Sequence, residues 1–385
     1  MKGSNRLSYK FELEQPSRVV FGCGTRHLLS DAIHRKDTVA LVCGSTTLVS
    51  NGCADEIMER LECDKIDLVQ LPSCEPTLDT INGLTEQLVA GNYSTVIGLG
   101  GGSTLDSVKA CSVLSNQYDS TDVLNYLEGV GAGHELKATG RTTILLPTTA
   151  GTGSEATKNA VIYSPEHRVK KSIRSPLLLP KLVIIDPELH TSCDVKTTTY
   201  SGMDAITQCF ESYISSRSTA YTRTIALDGF KLGIMNIVGA IRSPRNLDSR
   251  AAMAHCAFNS GVSLANAGLG VAHGLSSALG VAANLSHGES CAILLPFAAK
   301  LNQNFCTAGY CQLANAIGLK TPQQLTSHLR SLCGVLKIPN KLAAVGLSLD
   351  DLPDIVGRSY GNSMAGNPFR PEPSQLVDAL ISYYG

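Results

Sequence analysis

The stretch Ser94-Thr-Val-Ile-Gly-Leu-Gly-Gly-Gly-Ser103-Thr-Leu-Asp106 decides the fold. Residues 94–99 are β-branched, apolar and bounded by small residues, the composition of a strand buried on both faces. Gly100, Gly101 and Gly102 follow at once, and Leu105, Val108 and Cys111 then recur at helical spacing. Ser103 and Asp106 have capping-box spacing, which predicts a helix starting at Ser103. A strand, a turn without side chains and a new helix N-terminus together make an anion site. Backbone N–H groups approach a phosphate closely there, and the helix dipole favours its charge. A plain tight turn is the competing reading, but it does not need three adjacent glycines, whose chain entropy is costly. Gly98-x-Gly100-x-x-Ser103 lacks the third glycine of the common dinucleotide fingerprint. By itself the stretch specifies a phosphate and nothing finer.

On either side of it, strand and helix signals alternate. Residues 8–14 alternate polar and apolar, as in a half-buried edge strand, and 19–22, 38–43, 66–71, 142–146, 161–163 and 182–185 read as further strands. Helical segments lie between most of them, which argues a parallel, doubly wound sheet. After Asp186-Pro187 the strand signals stop. Residues 203–215, 219–241, 248–264, 271–283, 288–303, 308–317, 322–335, 340–346 and 374–383 read as helices. The expected organisation is an α/β domain over 1–189 and an all-helical domain over 190–385.

Composition narrows the function classes. The chain has 385 residues, 43% hydrophobic and 17% charged, with net charge −1. That balance gives no electrostatic case for nucleic acid or a membrane surface as a partner. The first residues lead into an alternating pattern, unlike a signal peptide, and no apolar run of spanning length is expected because Pro180 and Lys181 break residues 177–185. Thirteen cysteines without a C-x-x-C pair read as reduced thiols in a cytoplasmic protein.

Chemistry is concentrated in the helical half. Gly202-Met-Asp204-Ala-Ile-Thr-Gln208-Cys-Phe-Glu211 puts Asp204 and Gln208 at i,i+4 on one helix face. His273 and His287, each followed by glycine, stand at separate helix starts. One carboxylate and two imidazoles are a ligand set for a divalent metal with a position left for substrate. Two satisfied structural histidines would show the same spacing, so both readings stay open at this point. His190, near the domain junction, reads as a capping residue.

Several motifs together resemble the iron-containing (group III) alcohol dehydrogenase family. They are Gly98-Leu-Gly-Gly-Gly-Ser-Thr-Leu-Asp106, Pro147-Thr-Thr-Ala-Gly-Thr-Gly-Ser-Glu155, Asp186-Pro-Glu-Leu189, Gly202-x-Asp-Ala205, the His273 segment and His287-Gly-x-x-x-x-x-Leu-Leu-Pro296. The resemblance covers roughly residues 10–385. It implies a dehydroquinate synthase-like fold with a nucleotide domain, a helical metal domain and an active site between them, commonly in a homodimer. It implies that Gly100, Gly101, Gly102, Ser103 and Asp106 hold the pyrophosphate of NADP or NAD, with Thr148, Thr149 and Thr152 bordering the cofactor. Asp204, His273 and His287 become catalytic metal ligands, for Fe2+ or Zn2+. Asn159 and Lys170 are further candidates for polar substrate contacts, with a solvated loop side chain as the equal alternative.

The implied reaction is reduction of a small aldehyde to an alcohol, with the metal acting on the carbonyl oxygen. Gln208 stands where the family has a histidine ligand, and Ser277 where it often has a further histidine. If Gln208 does not coordinate, three ligands and a vacant position are expected. The alternatives are a metal-independent enzyme like maleylacetate reductase, a dehydroquinate-synthase-like lyase and a catalytically silent descendant. Ser45 aligns with an aspartate that in the family binds the adenosine ribose, so NADPH preference is expected. The basic run His167-Arg168-Val-Lys170-Lys171-Ser-Ile-Arg174 suggests an anionic aldehyde carrying a phosphono, sulfo or carboxy group.

Overall fold

The computed structural model describes residues 10–44, 46–72, 74–166 and 169–385. The chain forms two compact units: Glu14–Asp194 with Ser243–Ala254, and Val195–Arg242 with residues 10–13 and His255–Gly385.

The first, an α/β unit, is built on β1 (Arg18–Phe21), β2 (Thr38–Cys43), β3 (Lys65–Gln70), β4 (Thr95–Gly100), β5 (Thr142–Pro147) and β8 (Leu182–Ile185). They form one sheet in the order β1-β8-β5-β4-β2-β3, parallel throughout. A separate antiparallel hairpin pairs β6 (Asn159–Ser164) with β7 (Val169–Arg174). All six residues of β4 are buried, as are five of six in β2 and β5. Both faces of the sheet are covered. Ala40, Val42, Val96 and Leu145 face one apolar layer, while Val39, Leu41, Ile97, Leu99, Ile144 and Leu146 face the other. This is why these strands read as continuous apolar runs. β2 leads outward to β3, whereas β4 leads the opposite way to β5, so the strand order reverses between β2 and β4. In such sheets the carboxyl ends at a reversal form the ligand crevice.

Three expectations change here. Residues 10–16 form no strand, and residues 8 and 9 lie outside the described residues. Phe11 instead stacks on Tyr221, with ring centroids 5.3 Å apart. Alternation over so few residues satisfies a side-chain docking site as well as a strand pleat. The helix after β4 spans Gly102–Leu114 with Gly101 as its N-cap and no side-chain cap, so Ser103 and Asp106 form no capping box. The helix simply begins a residue earlier than the spacing suggests. Finally, the helix Ala220–Arg242 is long and apolar enough to cross a membrane. It packs closely on another helix: a Cβ at Gly229 would come within 2.6 Å of Cys209 Sγ, and one at Gly233 within 2.6 Å of Ile206 Cγ1. It is a core helix of its unit.

The helical unit contains Val195–Ile214, Ala220–Arg242, Val271–Ala283, His287–Asn302, Thr307–Ala316, Pro322–Val335, Leu352–Gly357 and Pro373–Tyr384. The helix Leu247–Ala267 begins in the α/β unit and ends in the helical one. The helix carrying Asp204 begins eight residues before the expected 203. Residues 340–346 hold only a short 3₁₀ turn, Leu342–Val345.

Candidate functional site

In the α/β unit, the glycine turn sits at the reversal of strand order. Gly44, just past β2, donates its N–H to Leu99 O at 3.3 Å, which holds the two strand ends together. A Cβ at Gly44 would fall 1.8 Å from Thr104 Oγ1, one at Gly100 2.4 Å from the same atom, and one at Gly102 2.5 Å from Thr152 Oγ1. At Gly101 the nearest atoms are those of Thr149, at 3.2 Å. The glycines are therefore required by threonines that crowd the turn, and the uncapped first turn of the helix presents its N–H groups there. Thr149 and Thr152 are thus placed beside Gly101 and Gly102, while Thr148 is buried and donates its N–H to Gly100 O at 3.0 Å. A cavity of about 330 Å³, lined in part by Arg26, Leu48, Asn51, Glu188, Leu189 and Ser192, opens among segments that follow β1, β2 and β8.

Asp106 turns away from the turn. Its carboxylate accepts from Ser154 Oγ at 2.5 Å and Val161 N at 2.9 Å, and pairs with Lys109 at 3.0 Å. Lys109 is itself buried and donates to Ser154 O, Thr157 Oγ1 and Asn159 O at 2.8, 2.9 and 2.5 Å. These bonds staple the Gly102–Leu114 helix to the loop after β5 and to β6. Glu155, buried in that loop, has its carboxyl pushed up to about 7 by burial, against the pull of Lys109. The motif Asp186-Pro-Glu-Leu189 is also structural. Buried Asp186 caps the turn Pro187–Ser192 and accepts from Gly24 N at 3.0 Å, and its carboxylate pairs with Arg26 at 2.8 Å. His190, in the last turn of that segment, bonds Pro147 O at 3.0 Å.

The remaining candidates of this unit are less engaged. Ser45 lies outside the described residues, as do His167 and Arg168. Asn159 opens β6, its Oδ1 buried without a partner. Lys170 is paired with Glu75 at 2.7 Å and Arg174 with Glu128 at 3.0 Å, so neither ammonium nor guanidinium is left unengaged.

In the helical unit, side chains from three helices converge. Asp204, His273, His287 and Cys291 each offer one donor atom, all within 4.8 Å of one another. His273 Nε2 lies 3.1 Å from Asp204 Oδ1, His287 Nε2 3.8 Å from that oxygen, and Cys291 Sγ 3.6 Å from His287 Nε2. Bonds of about 2.0–2.3 Å around a tetrahedral ion imply ligand-to-ligand edges of roughly 3.3–3.8 Å. Two of the three separations fall in that range and the third, 3.1 Å, lies just below it; the donors are two imidazoles, a carboxylate and a thiol, so the residues fit a divalent transition metal.

Behind the cluster stands Glu211, fully buried. Its carboxylate takes His273 Nδ1 at 2.7 Å and the N–H groups of Gly270, Ala272 and His273 at 3.0, 2.6 and 3.3 Å. It thereby caps the helix Val271–Ala283 and fixes Nδ1 as a donor, so that Nε2 faces Asp204 Oδ1, donating to it when the ring is charged and free to ligate once a metal displaces that proton. A Cβ at Gly270 would come 2.8 Å from Glu211 Oε1, which explains that glycine. Asn367 Oδ1 takes Val271 N at 3.1 Å and completes the cap.

Gln208 is turned differently. Its amide faces Asp204 Oδ2 at 3.0 Å and Ser260 Oγ at 2.7 Å. An ionised carboxylate only accepts, so the amide group beside Asp204 is the N–H₂ and the oxygen points to Ser260. Ser277 lies one turn beyond His273 on the same helix.

The charges in the cluster support one another. Burial opposes ionisation of Asp204, but His287 and His273 hold it below its usual range. Burial also opposes charging His273, yet Cys291, Asp204 and Glu211 keep it well above its ordinary value. His287 is pushed up to about 9, chiefly by Cys291 and against burial, with Asp204 adding. Its side chain remains 37% exposed, so water screens part of that effect. The Cys291 thiol is lowered by both imidazoles despite its burial.

Sequence reasoning missed Cys291, Glu211 and Lys109. Signals existed for the first two: Cys291 stands four residues after His287, and Glu211 seven after Asp204, each on the face already in use.

Comparison with known proteins gives the same outline. Residues 16–187 match the profile "Iron-containing alcohol dehydrogenase", and 198–384 match "Fe-containing alcohol dehydrogenase family, C-terminal". A lactaldehyde reductase of Escherichia coli (strain K12) is 28% identical over 378 residues, 94% of this chain and 96% of that one. A sulfoacetaldehyde reductase of Bilophila wadsworthia (strain 3_1_6) is 26% identical over 378 residues, again 94% and 96%. Among solved structures, a 1,3-propanediol oxidoreductase superposes with TM-score 0.89 at 23% identity, covering 97% of this chain and 100% of that one. A sulfoacetaldehyde reductase from Bifidobacterium kashiwanohense in complex with NAD+ gives TM-score 0.89 at 23% identity, covering 98% and 99%. With both halves matched in order, the chain belongs to the iron-containing alcohol dehydrogenase family and is an oxidoreductase.

Proposed function

We propose that this protein reduces a small aldehyde to its alcohol with a reduced nicotinamide cofactor, NADPH in preference to NADH. The observation that carries the reading is the convergence of Asp204, His273 and His287, with Glu211 fixing the imidazole of His273. When bound, the nicotinamide supplies the hydride and a divalent ion supplies positive charge toward the carbonyl oxygen. The chain's own part is placement. Gly100, Gly101, Gly102 and Ser103 form the cradle for the pyrophosphate, with Thr149 and Thr152 at its border. Asp204, His273 and His287 hold the ion, and Glu211 keeps His273 in its ligating tautomer. The domain division of 1–189 and 190–385 belongs to the same reading, as does a homodimer. The outer edge of β1, which pairs only with β8 among the described residues, supports the dimer.

The preference for NADPH rests on Ser45 in place of a carboxylate that would repel a 2′-phosphate. An anionic aldehyde is the favoured substrate class, supported by the likeness to sulfoacetaldehyde reductases. The ion pairs of Lys170 and Arg174 weaken the support from the basic run.

The test is turnover of a panel of matched neutral and anionic aldehydes with NADH and NADPH, before and after metal stripping. Activity that falls on stripping and returns with a divalent ion is expected. Full activity in metal-free protein would overturn the metal role. Equal kcat/KM for both cofactors would overturn the NADPH preference, and Ser45→Asp should move it toward NADH.

A further inference from the structure

We propose that the Cys291 thiolate is the fourth protein ligand of the ion held by Asp204, His273 and His287, and that Gln208 is a positioning residue for Asp204. The inference rests on the metal-dependent reading above and extends it to Cys291 and to Gln208, which stands where the family has a histidine.

Geometry supports it at each donor. His287 and Cys291 occupy i and i+4 of the helix His287–Asn302, so their side chains share a face. Cys291 is fully buried, and its Sγ lies 3.6 Å from His287 Nε2, a ligand-to-ligand separation. Cys111, by contrast, lies fully buried in the apolar core layer beside β4 and donates to Ile81 O at 3.3 Å.

Gln208 cannot fill the place of a fourth ligand as it stands. Its N–H₂ faces Asp204 Oδ2, and its oxygen, the only atom able to coordinate, faces Ser260 Oγ at 2.7 Å. Holding Oδ2 in this way leaves Asp204 Oδ1 toward both imidazoles. The amide thus aims the carboxylate, and the thiolate would be a fourth protein donor, with a carbonyl oxygen able to add as a fifth. Replacing an imidazole by a thiolate softens the donor set. Soft ligands favour zinc, which already outranks ferrous iron for a given N, O and S site. Binding releases the thiol proton to solvent, so no redox step is involved.

The test uses the full-length protein, stripped of metal and reloaded with one equivalent of zinc or cobalt(II). Zinc-edge X-ray absorption should show one sulfur scatterer at about 2.3 Å beside nitrogen and oxygen. The cobalt form should show a near-ultraviolet sulfur-to-cobalt charge-transfer band. Cys291→Ser should lose the band and the sulfur scatterer, and Gln208→Ala should keep both while binding metal several-fold more weakly. Thirteen cysteines offer adventitious sites, so a sulfur signal that survives in Cys291→Ser overturns the assignment. One bound equivalent with only nitrogen and oxygen neighbours in the unaltered protein also overturns it, whether or not the variant folds, and leaves the metal reading intact. Failure to bind any metal removes both.

Discussion

The turn after β4 and the cluster at Asp204 are made of different material. The turn is a backbone site: its shape depends on missing side chains at Gly100, Gly101 and Gly102, and on threonines that fill the space around them. The cluster is a side-chain site, with donors from three helices and a buried carboxylate, Glu211, behind them. The first is specified mostly by one run, residues 94–106, with Thr149 and Thr152 added from the loop after β5. The second draws on positions from 204 to 291, which only the folded chain brings together. A backbone site tolerates changes in chemistry but not in volume, whereas a side-chain site tolerates small changes of volume but not loss of a donor.

The largest effect separating the two should come from His287→Ala. Removing this donor should abolish metal binding and lower turnover by roughly a thousandfold or more, while cofactor affinity is retained. Elemental analysis and fluorescence titration with NADPH measure the two halves separately. Turnover within tenfold of the unaltered protein would place the reaction elsewhere.

A second prediction concerns stability near the turn. The Glu155 carboxyl titrates at about 7 in the folded protein against 4.5 otherwise. A raised acid pKa means the folded state holds the proton where the unfolded chain has lost it. Stability is therefore undiminished below pH 4.5 and falls as pH rises through 4.5 to 7. Glu155→Gln removes that loss. It should stabilise the protein by about 3 kcal/mol at pH 8 and by nothing at pH 4.5. Urea midpoints across this range decide it, and a pH-independent difference would show that Lys109 keeps Glu155 ionised.

How much of this was legible in the sequence follows from the same contrast. The central strands were readable because both faces are buried, so β2, β4 and β5 are apolar throughout. The start of the Asp204 helix was not readable. Residues 195–202 include three consecutive threonines, which have low helix propensity. Tertiary packing overrides that preference: Thr198 and Thr199 are buried, and Thr199 Oγ1 bonds Val195 O at 2.8 Å. That Asp204, His273 and His287 come together was readable from residue type and family likeness. Cys291 was hidden among twelve other thiols, and composition cannot separate a ligand from an inert core cysteine. The orientation of the Gln208 amide depends on Ser260, fifty-two residues away, which no local pattern reveals.

A smaller effect is expected from Glu211→Gln. The amide is nearly the same size but has one acceptor oxygen where the carboxylate has two, so part of the cap at Gly270 and Ala272 is lost, and a neutral group no longer fixes His273 Nδ1 as the donor. Metal affinity should weaken by about 10–100-fold, with cofactor affinity unchanged. Competition against a chelator of known affinity measures it. Unchanged metal affinity would reduce Glu211 to a helix cap.

The smallest effect tests whether the turn binds a ligand or only packs. In Gly102→Ala the added methyl would meet Thr152 Oγ1 at 2.5 Å and Cγ2 at 2.7 Å, so the loop must shift. Lower melting temperature and an increase of about tenfold in KM for the cofactor are expected, with metal content unchanged. Adding Thr152→Ala removes both clashing atoms and leaves Cβ at 3.1 Å, a contact that an exposed loop residue absorbs. Thr152→Ala alone serves as the control for any direct contact of the threonine with the cofactor. If the glycine is there for packing alone, the double variant recovers both melting temperature and KM. If the phosphate needs the space that the methyl fills, melting temperature returns and KM stays raised. The second outcome is expected, because the helix start carries no side-chain cap, which leaves its first N–H groups for a phosphate, and a methyl at Gly102 sits beside them.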